Sequence, residues 1–279
     1  MHDTLGGGGG STMRMLLTVL LALVLASPAF AQLATPSADT GITYGHVHLN
    51  VSDIEVHKKL WVDYFGGVVV EKGPLTAIRL PNFLIALTES EPTGPMQGSV
   101  LDHFGFKVRN TAEFVAKWRA AGMEVGPEFI GAEGLPNAYV MAPDGVWVEL
   151  QEDPSLHVPI AGYHIHFFTP DYEELLDWYT KVFSLNVRPR GSITSTTDVP
   201  GMNMSFGTSE EQTVGTRGRA LDHIGFEVDD LEAFCAKLEG MGIEFDIEYR
   251  EVESVELKIA FLTDPSGVYI ELTEGYDEY

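Results

Sequence analysis

The sequence predicts an α+β chain of four modules, each a strand, a helix and several further strands, arranged as two similar halves. Three observations predict it. Two strand segments with the same grammar occur near residues 44 and 162, an eight-residue strand recurs almost unchanged at 101 and 221, and two closing strands share Gly-Val-aromatic-x-Glu-Leu. Self-similarity at this scale marks duplication within the chain.

The first strand of each half alternates in the manner of a β-strand: Gly45-His46-Val47-His48-Leu49-Asn50-Val51 and Tyr163-His164-Ile165-His166-Phe167-Phe168. Each turns at Ser52-Asp53 or Pro170-Asp171 and runs into an amphipathic helix, Ile54 to Phe65 or Tyr172 to Phe183. Asp53 and Asp171 stand where N-caps are wanted. The next modules open with Leu101-Asp102-His103-Phe104-Gly105-Phe106-Lys107-Val108 and Leu221-Asp222-His223-Ile224-Gly225-Phe226-Glu227-Val228. Their helices stop before Gly122 and Gly242, the residue type that caps a helix C-terminus most easily. They close on Pro143 to Leu150 and Pro265 to Leu272. The expected division is two domains, 42–152 and 160–275, joined by a polar, proline-containing linker at 153–159.

Residues 13–31 read as a secretory signal peptide: Arg14, an apolar run from Leu16 to Ala26, then Ala29-Phe30-Ala31 as a cleavage signature. Cleavage is expected after Ala31, giving a periplasmic or secreted protein. Residues 1–12, with five consecutive glycines, read as an extension or remnant. The apolar run is short for a membrane anchor, so no membrane association is expected once the signal is removed. With 41 acidic against 17 basic residues the net charge is −24, which repels nucleic acid phosphates and anionic lipid. The single cysteine, Cys235, excludes internal disulfides and fits a small buried helix residue.

Six of the nine histidines fall in the repeated strands, at 46, 48, 103, 164, 166 and 223. Residues i and i+2 of a strand share a face, so His46 projects with His48 and His164 with His166. If the modules of each half lie side by side, His46, His103 and Glu149 converge in the first half and His164, His223 and Glu271 in the second. A lone histidine on an apolar strand would be read as core, but two copies of one His-His-Glu pattern point to a metal. Two imidazoles and a carboxylate leave coordination positions open, which suits Fe(II) first and Mn or Zn as alternatives. Export unfolded, with metal loaded outside the cytoplasm, weighs toward Zn or Mn. Trp61, Trp118, Trp178, Phe65 and Phe183 recur at helical spacing and read as core. Arg217 and Arg219 read as solvated surface, and Arg188 and Arg190 introduce a Thr- and Ser-rich loop (191–198) that lines or covers the second site.

These motifs resemble the vicinal oxygen chelate superfamily, which includes glyoxalase I, extradiol ring-cleaving dioxygenases, epimerases and antibiotic resistance proteins. The residues carrying the resemblance are His46 and His164, each seven before an Asp; Leu-Asp-His-x-Gly-Phe at His103 and His223; and Pro-x-Gly-Val-aromatic-x-Glu at Glu149 and Glu271. The resemblance covers about 42–275 and implies βαβββ modules in mixed curved sheets, each enclosing a metal-site cleft. It also implies a small oxygen-rich substrate, an aromatic diol among the candidates, and is compatible with a homo-oligomer. Glyoxalase I takes a fourth ligand from the last strand of its first module. Here Ala86 falls near that place, with Glu89 reached only by a register slip, and the third module offers Met204-Ser205-Phe206, so glyoxalase chemistry is disfavoured. Ring-cleaving dioxygenases add a second-sphere His and a Tyr. Tyr139 matches that Tyr in the first half and Phe261 replaces it in the second, while no His lies in 128–135 or 250–257. His48 and His166 are the other candidates for proton transfer. The expected activity is that of an extradiol dioxygenase, with a glyoxalase-type isomerase or lyase, or a binding or resistance protein, as alternatives. The ring-cleaving relatives place the second half as the working one.

Overall fold

The computed structural model describes residues 33–276, so the expected extension, signal peptide and cleavage point lie outside the described residues. Module one comprises β1 (Ile42–Val51), α1 (Ile54–Phe65), β2 (Val68–Lys72), β3 (Leu75–Leu80) and β4 (Phe83–Glu89). Module two comprises β5 (Leu101–Val108), α2 (Thr111–Ala120), β6 (Val125–Ile130), β7 (Pro136–Ala142) and β8 (Val146–Glu152). Module three has β9 (Ile160–Phe168), α3 (Tyr172–Val182), β10 (Thr196–Val199) and β11 (Met202–Gly207). Module four has β12 (Leu221–Val228), α4 (Leu231–Gly240), β13 (Ile247–Val252), β14 (Leu257–Thr263) and β15 (Tyr269–Glu274). Among the described residues no helix is long and apolar enough to cross a membrane.

The third module lacks its second strand. A single bridge from Val187 to Thr197 stands in its place. Pro189 follows at once, with no N–H to give a ladder, and Gly191 turns the chain at φ +56°. Helix ends follow local chemistry. The carboxylate of Asp53 accepts from the N–H groups of Glu55 and Val56, and Asn110 and Asp230 cap α2 and α4 in the same way. Asp171 occupies the N-cap position of α3 but makes no side-chain cap bond. Gly122 and Gly242 adopt the left-handed conformation just past α2 and α4.

The strands form two mixed sheets, ordered β13-β14-β15-β12-β1-β4-β3-β2 and β10-β11-β9-β5-β8-β7-β6. Each sheet therefore pairs modules from different halves, the first with the fourth and the second with the third. At the centre of one, β1 lies antiparallel to β12; at the centre of the other, β5 lies antiparallel to β9. Neighbours in sequence are joined differently. The β7–β8 turn reaches back to α1 through Asp144 and His57, 3.1 Å apart, and the β14–β15 turn reaches α3 through Asp264 and the Tyr179 hydroxyl, 2.9 Å.

One apolar core fills the space between the two sheets and includes Trp61, Phe65, Trp118 and Phe183, as expected, whereas Trp178 only packs against its margin. Phe65 of α1 meets Phe106 of β5 at 5.4 Å, and Phe183 of α3 meets Phe226 of β12 at 5.0 Å. Cys235 is a free, buried residue of α4. Arg219 donates to the carbonyls of Pro95 and Gln97 and ties two loops together, a structural role in place of the expected solvation.

Asp264 is buried and accepts from the backbone N–H groups of Ser266 and Val268. Burial outweighs these bonds and raises its carboxyl to about 6. The native state thus holds a proton that the unfolded chain releases near its ordinary value of about 4, so this group's contribution to stability falls as pH rises between those values. Asp264→Asn should remove that slope. Urea unfolding at pH 4.5 and 7 should show the variant gaining about 2 kcal/mol relative to wild type at the higher pH. An equal difference at both pH values would refute it.

Candidate metal centres

In both central strand pairs two irregularities aim the polar side chains. Opposite His48 and Leu49, β12 carries an extra residue, Asp222; opposite His166 and Phe167, β5 carries an extra residue, Asp102. A bulge of this kind turns the following side chain out of strict alternation. It lets each Asp meet the ring of its own chain neighbour: Asp102 Oδ1 lies 2.6 Å from His103 Nδ1, and Asp222 Oδ1 lies 2.6 Å from His223 Nδ1. With Nδ1 so engaged, Nε2 is left to face the centre.

The second irregularity is Gly45 in β1 and Tyr163 in β9. Beyond it, His46 lies opposite Gly225 and His164 opposite Gly105. A Cβ at Gly225 would stand 2.0 Å from the His46 ring, and one at Gly105 would stand 2.3 Å from the His164 ring. The glycine of Asp-His-x-Gly-Phe is therefore the floor on which the partner strand's histidine rests. Gly105→Ala should tilt His164 and destabilise the fold by about 1–3 kcal/mol. A fall in metal affinity alongside the urea midpoint checks it, and unchanged values of both would refute the packing argument.

The first centre gathers His46, His223 and Glu271, with His48 beside them. Glu271 Oε2 lies 2.9 Å from His46 Nε2 and 3.1 Å from His223 Nε2. The His48 ring stacks 4.5 Å from that of His223, and its Nε2 lies 2.8 Å from Thr88 Oγ1. Phe261 packs on His223, and Tyr276 on His46 at 4.6 Å.

The second centre gathers His103, Glu149, His164 and His166, which can each place one ligand atom within 4.8 Å of all the others. Glu149 Oε2 lies 2.8 Å from His103 Nε2 and 3.3 Å from His164 Nε2. His166 Nδ1 lies 3.3 Å from His103 Nε2. The Tyr139 hydroxyl donates to Glu149 Oε2 at 3.2 Å, and the Asn137 amide donates to Glu149 Oε1.

The expected grouping by halves is thus corrected. His46 stands with His223 and Glu271, and His103 with His164 and Glu149. Neither half completes a centre by itself, and the expectation of a working second half loses its basis. Of the residues expected in proton transfer, Tyr139 and His166 lie at the second centre and His48 at the first.

The donor set fits a divalent cation. The Nε2 atoms of His46 and His164 are buried with no hydrogen-bond partner, although a carboxylate oxygen lies within 3.3 Å of each. Each nitrogen and carboxylate are thus close without being aligned as a hydrogen bond, which leaves both able to share a cation. Electrostatics agrees. Burial lowers His46, and lowers His164 to about 4, so both stay neutral and able to donate a lone pair. Burial also opposes charge on His103 and His223, but hydrogen bonds with Asp102 and Glu149, or Asp222 and Glu271, raise each to about 9. The histidines hold Glu149 and Glu271 far below the usual carboxylate range against the cost of burial. Each centre is a buried anionic socket that a proton fills and a metal would fill better.

Sequence reading missed Asp102, Asp222 and Asn137 as site residues. Strand alternation sends a residue beside His103 to the opposite face, so only the bulge reveals the aspartates. Their recurrence in the repeated octapeptide was the available signal.

The model of the Glyoxalase/Bleomycin resistance protein/Dioxygenase superfamily matches residues 43–150 and 163–272, and the chain belongs to that superfamily. Among solved structures it is similar to glyoxalase I from Zea mays, with 16% identity over 85% of this chain and 94% of that one, at a TM-score of 0.64. A putative dioxygenase from Bacillus subtilis is similar at 10% identity over 88% of this chain and 86% of that one, also at 0.64. No curated protein sequence matches. At these identities the structural likeness is one of fold.

Proposed function

We propose that this chain is an exported metal-dependent enzyme that takes a small aromatic diol through its two adjacent oxygens, in the manner of an extradiol ring-cleaving dioxygenase. Its working centre is the one formed by His103, Glu149 and His164. The observation that carries the reading is the pair of polar side chains on β7 beside Glu149, whose counterparts on β14 beside Glu271 are apolar. Tyr139 lies opposite Glu149 in the β7–β8 register, where Phe261 lies opposite Glu271; Asn137 lies opposite Gln151, where Ile259 lies opposite Thr273. Export rests on Arg14, the apolar run and Ala29-Phe30-Ala31.

His103, Glu149 and His164 would hold the ion, Fe(II) by preference and Mn or Zn otherwise. Once bound, it supplies Lewis-acid polarisation of the two substrate oxygens. Asp102 fixes the tautomer and plane of His103, and Asn137 occupies Glu149 Oε1 so that Oε2 faces the centre. His166 presents a neutral ring nitrogen to take a proton from a substrate hydroxyl, and Tyr139 donates a hydrogen bond beside it. A glyoxalase-type isomerase has less support, because Ala86 lies opposite His48 and Ser205 opposite His166, and neither supplies the extra carboxylate.

The test is an oxygen-electrode assay of protein loaded anaerobically with Fe(II), against a panel of catechols. Oxygen uptake with appearance of a coloured ring-opened product is expected. Turnover of a hemithioacetal without oxygen uptake would move the assignment to the isomerases. Catechol binding with no turnover under Fe, Mn or Zn would move it to the binding proteins.

A further inference from the structure

Arg190 is 4% exposed; its Nε and Nη2 atoms donate to the hydroxyl of Ser205, at 3.3 and 3.1 Å, and its charge also acts on the Tyr163 hydroxyl and on Glu133. Among the described residues no carboxylate lies within ion-pair distance of it. A buried guanidinium is costly unless paired, and its planar fork is shaped for a carboxylate. Its position says what pairs with it. Ser205 lies opposite His166 and Asn203 opposite His164 in the β11–β9 register, so Ser205 projects on the face that carries both histidines. The guanidinium also lies 5.3 Å over the ring of Tyr163, the bulged residue beside His164. Glu133, whose carboxylate feels the charge of Arg190, is already engaged by the Tyr163 hydroxyl at 2.5 Å and by the Gln151 amide. The loop bearing Arg190 is pinned next to Ala132, whose carbonyl accepts from the Ser192 N–H at 2.9 Å. The guanidinium therefore sits at the edge of the second centre, and among the described residues it has no ion-pair partner of its own. The first centre differs: its bulge residue is Gly45, Ala86 takes the place of Ser205, and Arg79 of β3, on the same sheet, lies opposite Leu84, two strands away from His46, and is only half-buried.

We propose that Arg190 recognises a carboxylate on the substrate, so that the natural ligand of the second centre is an aromatic diol acid and not a neutral diol. This rests on the reading of that centre as the substrate site and adds the class of substrate. A divalent ion with one ligating carboxylate leaves the pocket cationic beside Arg190, which favours a dianionic partner over a neutral one.

Binding separates this proposal from the proposed reaction. Zn-loaded protein is titrated calorimetrically with a dihydroxybenzoic acid and with its methyl ester, which keeps the diol and the shape and removes the charge. The acid should bind at least tenfold more tightly. Arg190→Gln should abolish that preference while leaving ester affinity and zinc content unchanged, and Arg190→Lys should restore part of it. Equal binding of acid and ester by wild type, or a preference that persists in Arg190→Gln, would overturn the proposal. Should no catechol support oxygen uptake while the acid still binds in preference to its ester in an Arg190-dependent way, the carboxylate site stands and the dioxygenase reading falls.

Discussion

Two histidine-to-alanine substitutions made together should reveal which strands share a centre. Wild type loaded with Zn is expected to hold two ions per chain, and His103→Ala or His164→Ala to hold one. The double variant His103→Ala/His164→Ala should still hold one, because both side chains lean on the same Glu149 oxygen. His103→Ala/His46→Ala should hold none, because His46 serves Glu271 on the other sheet. The effect is large because removing one ligand of three costs most of the affinity of a site with few ligands. Non-additivity within a pair and additivity between pairs is the signature of shared partners. If His46→Ala and His103→Ala together leave one ion bound, the modules pair by halves and the crossed sheets are wrong. If every variant keeps two, the histidines are structural.

The repeats, the α+β class and the glyoxalase superfamily were legible from residues alone, because Leu-Asp-His-x-Gly-Phe and Gly-Val-aromatic-x-Glu recur at fixed places. The pairing of modules was not. Gly105 and Gly225 occur in the same motif, and either can floor a histidine from β1 or from β9, so side-by-side and crossed pairings read alike in sequence. Loop-closure entropy does not choose between them either, since it grows only slowly with separation. The crossed pairing shows only in the strand registers β1–β12 and β5–β9, while Phe65 on Phe106, Phe183 on Phe226 and the Asp264–Tyr179 tie join the modules of each half across the core. The aspartates at 102 and 222 were hidden for a different reason. A one-residue bulge breaks the period-two rule by which their faces were assigned.

Activity should fall unequally between the centres, and this is the second large effect. On the proposed reading, His103→Ala and Glu149→Gln abolish turnover, while His223→Ala and Glu271→Gln, which remove the other ion, leave most of it. Tyr139→Phe is the sharper probe, because it makes the second centre resemble the first, where Phe261 already packs on the histidine. Loss of a single hydrogen-bonding group that acts in proton transfer costs on the order of 10²–10⁴ in rate. Burial, reinforced by Glu149 and Asp102, pushes the Tyr139 hydroxyl far above its usual range, so it acts as a donor and not as a phenolate. The Tyr139→Phe loss should therefore be nearly independent of pH between 6 and 9 and should appear in kcat with metal content unchanged. His166→Ala should produce a loss that shrinks as pH rises, because a more alkaline medium deprotonates the substrate without help. Steady-state oxygen uptake across that pH range, with metal measured on the same samples, decides the matter. Equal losses from Tyr139→Phe and Phe261→Tyr, or full activity in Glu149→Gln, would place the chemistry at the other centre.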